Sequence, residues 1–248
     1  MNEFLPIGLD KLSESINLNR GELVTIAGRP NFGKTSLVSK MVYNLATTGK
    51  YKIGMFSLEW PAHAFAKMIL GKRTEKEELK DYTNEIGTIY KNRLWIDDTP
   101  GITIAEIRNK CYAMKKMYGG IDYVFIDYVQ LISADVKHES PVQERAAIAR
   151  SLKELAGELD CVIVVASQLA RKIDKWRLEL RPNKSRRPCL QDLGDMGMEQ
   201  DTDVALFLYR DEIYHRDSSL RGKVEMIIGK NRNGPTGETF MFDLNNGC

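Results

Sequence analysis

One segment of this chain combines glycine, lysine and threonine at the spacing of a phosphate-binding loop. An apolar run, Leu23 to Ala27, leads into the pattern Gly-x-x-x-x-Gly-Lys-Thr, and a helix-forming stretch follows. In such a loop, backbone N–H groups close around phosphates, the lysine reaches the β- and γ-phosphates, and the threonine hydroxyl binds Mg²⁺. A glycine-rich connection that merely contains a lysine is the less favoured alternative. The predicted site for ATP or another nucleoside triphosphate consists of Gly28, Arg29, Pro30, Asn31, Phe32, Gly33, Lys34 and Thr35.

Two carboxylates follow predicted strands and could serve the same chemistry. The apolar run Tyr123 to Asp127 ends in an acid, as a Walker B strand does, and its carboxylate would reach the Mg²⁺ shell. Glu59 comes two residues after Ser57, at a strand end, and could orient or deprotonate the attacking water. Plainer alternatives remain open. Many strands end in Asp as a turn former, and spacing alone slightly favours Glu59 as an exposed helix-start charge ahead of Pro61.

Three later polar residues could complete a hydrolysis site. Gln168 closes a strand and could sense the γ-phosphate, or be a polar strand end and no more. Lys230 and Arg232 belong to a turn-rich connector, Gly229 to Gly237. Such a connector is ordinarily a solvated hairpin. A guanidinium there could instead act as an arginine finger in a neighbour's site, where it would stabilise transition-state charge.

The elements that would position these residues alternate between short Val- and Ile-rich runs and longer amphipathic stretches. This alternation predicts an α/β fold of β-α-β units around a mostly parallel sheet, ending in an antiparallel extension. Ser140, Pro141 and Gln143 predict an N-cap and capping box for the last helix. The predicted strands are Glu22 to Ala27, Lys52 to Ser57, Leu94 to Asp97, Tyr123 to Asp127, Val162 to Ser167, Val204 to Tyr209 and Val224 to Gly229. The predicted helices are Lys34 to Thr47, Ala62 to Leu70, Ile104 to Met117 and Pro141 to Leu159.

Composition bounds the class of protein. The 248 residues are enough for one large core, and we predict a single domain over 1–248. The longest apolar runs are strand-length, short of the roughly 20 residues of a membrane helix. The first residues lack a secretory signal pattern, so a cytoplasmic protein without membrane contact is expected. The four cysteines are widely spaced, which favours reduced thiols over a zinc site or disulfides.

The net charge is only +2, yet positive charge is concentrated in one segment. Between Arg171 and Pro188, eight basic residues accompany two acidic ones, a local excess of +6. This segment belongs to a polar stretch with little periodicity, Leu169 to Met198, which we predict to be a long loop. Loops of this length in compact domains are usually functional or disordered. The charge distribution indicates a segment presented to a partner.

In their order along the chain, these motifs resemble the C-terminal ATPase domain of DnaB-type replicative DNA helicases. Walker motifs are shared by many ATPases. Ser-Leu-Glu, Ile-Asp-Tyr-x-Gln-Leu and Lys-x-Arg-Asn-Gly-Pro-x-Gly are much more specific. The resemblance covers nearly the whole chain. It is carried by Gly28 to Thr35, Ser57 to Glu59, Ile126 to Leu131, Ser167 to Leu169, Glu199 to Asp201, Tyr209 to Glu212 and Gly229 to Gly237.

The resemblance implies a RecA-like P-loop NTPase fold and a homo-oligomeric ring, usually of six subunits. Such a ring encircles single-stranded DNA and moves 5′ to 3′, with ATP and Mg²⁺ bound at each subunit interface. Primase and a helicase loader are further candidate partners. The implied roles are phosphate lysine for Lys34, magnesium ligands for Thr35 and Asp127, catalytic base for Glu59, γ-phosphate sensor for Gln168, and action on the next subunit's nucleotide for Lys230 and Arg232.

Several positions depart from the family pattern. We expect no N-terminal helicase domain or linker helix in this chain, because Walker A begins at residue 28. Met68 stands where the family often has an arginine near the nucleotide. The DNA-facing Asp-Leu-Arg-Glu-Ser-Gly becomes Asp-Leu-Gly-Asp-Met-Gly and loses its arginine. We hypothesise that basic residues of the preceding loop take over phosphate contacts. The predicted DNA-binding residues are Lys184, Arg186, Arg187, Asp195 and Gly197.

Three classes of function fit a chain of this kind. The leading hypothesis is a helicase motor, favoured by the Lys-x-Arg element at Lys230 and Arg232. The second is a recombination or regulatory ATPase of the wider RecA-like class, similar to RadA, that binds DNA without unwinding it. The third, a non-catalytic module, predicts loss of Lys34 or Glu59. Both residues are present, so it ranks last.

Overall fold

The computed structural model describes residues 4–69, 93–136, 138–169 and 186–243. Strands and helices alternate through most of this length and then give way to consecutive strands. The strands are β1 (Leu23–Gly28), β2 (Ile53–Ser57), β3 (Leu94–Asp97), β4 (Tyr123–Asp127), β5 (Val162–Gln168), β6 (Val204–Tyr209), β7 (Lys223–Asn231) and β8 (Thr239–Asp243). The helices are α1 (Lys34–Thr47), α2 (Ala62–Ile69), α3 (Ile104–Tyr118), α4 (Pro141–Leu159) and α5 (Leu190–Gly194).

One eight-stranded sheet joins all of these strands, in the order β3-β2-β4-β5-β1-β6-β7-β8. The first six strands in that order are parallel. β7 and β8 are antiparallel to their neighbours. The predicted mostly parallel α/β sheet with an antiparallel extension is therefore confirmed. All seven predicted strands occur within two residues of their predicted bounds, whereas β8 was not predicted.

The central strands are buried on both faces, which explains their nearly continuous apolar sequences. β1, β4 and β6 have every residue buried. Alternate residues of each strand enter opposite layers, one packed against α1 and the other against α3 and α4. Because all six parallel strands run the same way, their carboxyl ends meet at one edge of the sheet. Site residues of open α/β sheets collect at this edge.

Capping side chains fix where the two long helices begin. Ser140 caps α4 as predicted, with its hydroxyl accepting a hydrogen bond from the Gln143 N–H at 3.2 Å. The reciprocal bond from the Gln143 side chain that a capping box requires is not formed at this helix start. Thr103 and Glu106 form a reciprocal capping box on α3. A side-chain cap contributes about 1 kcal/mol to helix stability. Buried apolar side chains then pack α3 and α4 on the sheet face opposite α1.

The predicted long loop from Leu169 to Met198 is wrong in part, because residues 190–194 form the short helix α5. Asp192 stabilises its start, where its carboxylate accepts from the Cys189 N–H at 2.7 Å. Residues 170–185 lie outside the described part of the chain, and so does the predicted DNA-binding residue Lys184. Within the described ranges, no helix is both long and apolar enough to cross a membrane.

Candidate active site

The predicted phosphate-binding loop joins the carboxyl end of β1 to the first turn of α1. Gly33 is the N-cap of α1 and has φ +89°, a left-handed conformation that glycine adopts without strain. A Cβ on Gly28 would lie 3.1 Å from Leu208 Cβ of the neighbouring strand, so a larger residue would require Leu208 to move by a few tenths of an ångström. The loop thus presents the N-terminus of α1 at the sheet edge. Helix N-termini of this kind bind phosphate.

Lys34 is the predicted phosphate lysine, and its ammonium group lies inside the loop. Nζ donates to the carbonyl oxygens of Gly28 at 3.1 Å and Arg29 at 2.9 Å. Burial lowers the pKa of Lys34, although the nearby carboxylates of Asp127 and Glu59 act in the opposite direction. The charge is therefore preorganised in a poorly solvated position, where it would interact strongly with a phosphate.

Asp127 ends β4 beside the loop, as predicted, and its carboxylate is almost completely buried. Among the described residues, neither carboxylate oxygen has a hydrogen-bond partner. Burial raises the pKa of Asp127 to about 6, and Glu59 adds to that rise while Thr35 and Lys34 oppose it. A buried carboxylate without a partner is costly unless it binds a cation. Asp127 together with the Thr35 hydroxyl therefore fits the oxygen-rich coordination of Mg²⁺.

Replacing Asp127 with asparagine is expected to stabilise the protein in the absence of Mg²⁺ and nucleotide. The substitution removes a buried charge whose pKa is raised from the usual value to about 6. At about 1.4 kcal/mol per pKa unit, losing that charge is worth about 1 to 3 kcal/mol in the free energy of unfolding at neutral pH. Urea denaturation in EDTA measures this change. Asp122→Asn is the matched control at the start of the same strand, because the Asp122 carboxylate accepts from the Lys52 N–H at 2.8 Å and should not gain stability. A less stable Asp127→Asn variant would contradict this account.

A cleft of about 390 Å³ opens between the loop and the neighbouring strand ends. It brings together Glu59 and Gln168, which are predicted site residues from strands far apart in the chain. Met68 also lines it, at the position where the family often has arginine. The structure therefore places Glu59 in the cleft, and its catalytic role remains a prediction. The lining residues are Pro30, Asn31, Gly33, Lys34, Thr35, Ser36, Glu59, Trp60, Met68, Tyr128, Gln168 and Arg210.

Gln168 is held at the cleft by Gln130, a residue without a predicted role. The Gln130 side chain accepts from the Gln168 N–H at 3.2 Å and donates to the Gln168 carbonyl oxygen at 3.0 Å. It also donates to the Ser167 hydroxyl at 3.2 Å. These bonds join the short 3-10 turn that follows β4, Val129–Leu131, to the end of β5. They fix the main chain at Gln168 and leave its side chain to face the cleft.

Arg210 lines the cleft and was not predicted from the sequence. Its Nη1 donates to the carbonyl oxygen of Asn31 in the phosphate-binding loop at 2.8 Å. An ion pair with Glu212 orients the same guanidinium. Asn31 itself has φ +62°, an uncommon conformation for a residue with a Cβ. Arg210 therefore tethers the loop at its most constrained residue.

Arg210→Ala is expected to weaken binding of ATP about 10-fold, the equivalent of about 1.4 kcal/mol. The loop loses its tether at Asn31 and must be ordered by the nucleotide instead. Titration with a fluorescent ATP analogue measures the dissociation constant. Arg216→Ala is the control, since Arg216 is exposed and does not line this cleft. Equal affinity for both variants and the unaltered protein would contradict a role for the tether.

Lys230 and Arg232 lie at the opposite edge of the sheet from the phosphate-binding loop. Gly28 pairs with Leu208, near the carboxyl end of β6, whereas Asn231 pairs with Val204 at its amino end. Four residues of strand separate these pairs, which corresponds to roughly 13 Å. The structure therefore does not bring the two cations into this chain's own nucleotide site.

The described DNA-binding candidates contact two different parts of the fold. The Arg187 guanidinium binds both oxygens of the buried Glu225 carboxylate, at 2.6 and 2.7 Å, and lies over the Tyr209 ring. Arg186 lies over the Tyr214 ring. Tyr214 in turn touches Phe32 of the phosphate-binding loop, with ring centroids 6.3 Å apart.

Asp195 and Gly197 follow α5 instead. Asp195 is exposed. Gly197 has φ +78°, and a Cβ there would lie 2.6 Å from the Val142 carbonyl oxygen at the start of α4. The main chain at Gly197 thus packs closely against α4 and holds the exposed Asp195 at the surface.

Comparison with known proteins agrees with this arrangement of motifs. The family model for the DnaB-like helicase C-terminal domain matches residues 5–245. The chain is 34% identical to the replicative DNA helicase DnaB of Geobacillus stearothermophilus over 94% of its own length and 53% of that protein. It is 35% identical to DnaB of Haemophilus influenzae over 92% and 50%. The chain therefore spans about half the length of these relatives.

Solved structures agree as well. One of them, the structure of an ATPase domain, is 29% identical, with a TM-score of 0.83, over 98% of this chain and 88% of that one. A DnaB-like replicative helicase, described with its interactions with primase, is 30% identical with a TM-score of 0.81, over 95% and 58%. The fold, the order of the motifs and these matches lead to one conclusion: the chain belongs to the DnaB-like helicase C-terminal domain family.

Proposed function

We propose that this chain is the motor domain of a ring-shaped DNA helicase. It couples hydrolysis of ATP at subunit interfaces to 5′ to 3′ movement along single-stranded DNA during replication. One observation carries the proposal. The cleft lined by Lys34 and Glu59, with the buried Asp127 carboxylate close to both, lies at one edge of the sheet, and Lys230 with Arg232 lies near the other. A site completed by a neighbouring copy of the chain accounts for both halves.

Each residue of the composite site has a defined task in this proposal. Thr35 and Asp127 hold Mg²⁺, which neutralises developing charge on the phosphates when it is bound with ATP. Lys34 binds the β- and γ-phosphates. Glu59 accepts a proton from the attacking water or orients it. Gln168, held by Gln130, contacts the γ-phosphate region and reports its occupancy to β5.

The partners follow from the same proposal. The chain assembles with copies of itself into a ring, with six subunits as in the family, around single-stranded DNA. Primase is a further candidate partner, because one solved relative is described with its interactions with primase. A helicase loader is another. The recombination or regulatory ATPase considered above is not favoured, because the family model and the curated relatives are helicases.

Two measurements on one preparation test the proposed function. ATP hydrolysis per subunit should rise steeply with protein concentration, in step with assembly measured by analytical ultracentrifugation. Forked duplexes should be unwound when they carry a 5′ single-stranded tail and not when they carry only a 3′ tail. Full hydrolysis by a dilute monomer would refute the shared site. DNA-stimulated hydrolysis without unwinding of either fork would favour the recombination class.

Neutral replacements of the basic DNA-binding candidates are expected to weaken the salt dependence of single-strand binding. Removing each phosphate contact should lower the slope of log K against log salt concentration by about 0.7. The variant combines Lys184→Gln, Arg186→Gln and Arg187→Gln. It also carries Glu225→Gln, so that removing Arg187 leaves no buried carboxylate unpaired. Fluorescence anisotropy at several salt concentrations measures the slope, and Glu225→Gln alone is the control. An unchanged affinity and slope would show that these residues do not contact DNA.

A further inference from the structure

Asp203 lies just before β6, at the sheet edge that carries Arg232. Its side chain is only 3% exposed, yet it binds three donors from three parts of the chain. Oδ2 accepts from the Leu23 N–H at 2.8 Å and from Lys153 Nζ at 2.6 Å. Oδ1 accepts from Arg232 Nη1 at 2.9 Å. A buried carboxylate with two cations and a backbone donor is a rigid anchor.

Asp203 binds Arg232 through one guanidinium nitrogen and leaves the rest of the guanidinium facing solvent. The Arg232 side chain is 68% exposed, and only Nη1 reaches Asp203. Its main chain is fixed as well, because the Arg232 N–H donates to the Asp203 carbonyl oxygen at 3.1 Å. A guanidinium has five N–H donors, so the remaining donors face solvent. They are available to a phosphate on a neighbouring subunit.

Lys230 is attached to the same stretch of chain. Its Nζ donates to the Glu199 carbonyl oxygen at 2.8 Å. Both cations are therefore bonded within residues 199–203, which begin two residues after the predicted DNA-binding residue Gly197. The Thr202 hydroxyl closes this stretch on itself by donating to the Met198 carbonyl oxygen at 2.8 Å.

We propose that Asp203 is the positioning residue for Arg232 in the site that Arg232 shares with the neighbouring subunit. The proposal rests on the proposed function, because it requires Arg232 to act on a neighbour's nucleotide. Asp203 touches no nucleotide itself. It sets the direction in which the guanidinium points, and misplacement of a catalytic group by about 1 Å lowers rates by up to about 100-fold.

Asp203 also supports β1, and the experiment must separate that structural task from positioning. Besides its side-chain bond to Leu23, the Asp203 N–H donates to the Leu23 carbonyl oxygen at 2.9 Å. Asp203→Asn keeps an oxygen for the Leu23 N–H and removes the charge that holds Arg232. Asp201→Asn is the matched control. Asp201 lies on the same stretch but pairs with Arg150 at 3.9 Å.

Mixtures of two variant subunits distinguish the subunit that supplies Arg232 from the neighbouring subunit whose nucleotide site receives it. Lys34→Ala subunits, the donors, cannot bind phosphate normally but can supply Arg232 to a neighbour. Arg232→Ala subunits, the acceptors, can bind phosphate but cannot supply Arg232. ATP hydrolysis in an equimolar mixture should exceed that of either variant alone, which tests the proposed function. Asp203→Asn is then added to the donor, Lys34→Ala, or to the acceptor, Arg232→Ala. We expect about 10- to 100-fold loss in the first mixture and less than about twofold loss in the second. Asp201→Asn should have little effect in either.

Each outcome has a distinct meaning. Loss confined to the donor supports the positioning role, because a folding fault would not depend on which subunit carries it. An equal loss of ATP hydrolysis in both mixtures would show that Asp203 has a structural role only. No loss in either mixture would refute its role in positioning Arg232. Either of these results would leave the proposed function intact. Failure of Lys34→Ala to restore activity to Arg232→Ala would overturn the proposed function itself, and the role of Asp203 with it.

Discussion

Arg232→Ala is expected to lower kcat for ATP hydrolysis by about 1000-fold or more, the effect of removing an arginine finger. Binding of ATP should change little, because Arg232 lies at the opposite sheet edge from the phosphate-binding loop of its own chain. The guanidinium would act only where negative charge accumulates in the transition state. Steady-state hydrolysis above the assembly concentration gives kcat, and titration with a fluorescent ATP analogue gives the affinity.

Arg216→Ala is the control for Arg232→Ala, since Arg216 is likewise exposed and lies outside the residues proposed to act on a neighbour's nucleotide. It should retain kcat within about twofold. Sedimentation of both variants distinguishes loss of chemistry from loss of assembly. An Arg232→Ala protein that assembles and hydrolyses ATP at the original rate would rule out catalysis by this residue.

Glu59→Gln is expected to lower kcat by about 100- to 10,000-fold, the contribution of a general base. The glutamine has nearly the same shape but cannot accept a proton at neutral pH. ATP affinity should be retained or rise slightly, because the substitution removes a negative charge from a cleft that Lys34 lines and that the buried Asp127 carboxylate lies close to. Single-turnover hydrolysis with excess protein separates this loss from slow product release.

Glu14→Gln provides the matched control, as Glu14 is exposed and far from the cleft in the sequence. The structure places Glu59 in the cleft, although spacing alone slightly favoured an exposed charge at the start of a helix. Glu59 is exposed, as spacing alone favoured, and it also lines the cleft. Near-normal single-turnover rates for Glu59→Gln would show that Glu59 is a surface charge without a catalytic role.

Features encoded by neighbouring residues could be predicted from the sequence. The phosphate-binding loop depends on glycines whose special conformations are local, such as Gly33 with φ +89°. Strand β4 and helix α4 were predicted to the residue, because an unbroken apolar run and an N-cap mark their ends. The carboxyl edge of a parallel sheet then gathers Asp127, Glu59 and Gln168 with no further information.

Features that depend on contacts between distant segments could not be predicted. Arg210 reaches Asn31 across 179 positions of the chain, and Arg187 pairs with Glu225 across 38. No local pattern marks either partner. Strand β8 was missed because it is an outermost strand of the sheet and buries only Phe242, so its apolar pattern is weak. Helix α5 was missed because five residues are too few for a periodic pattern to be recognised.

Under the proposed function, the separation of the two half-sites across the sheet would determine how copies of the chain meet. Contact between a nucleotide cleft and a Lys230–Arg232 edge joins unlike surfaces, so each junction has a direction. A two-fold dimer joins like surfaces and would leave both clefts without a partner. An open row of subunits always has one unfinished cleft at its end. Only a closed ring gives as many complete sites as subunits. One subunit without a working Arg232 would then inactivate a single nucleotide site, that of the adjacent subunit.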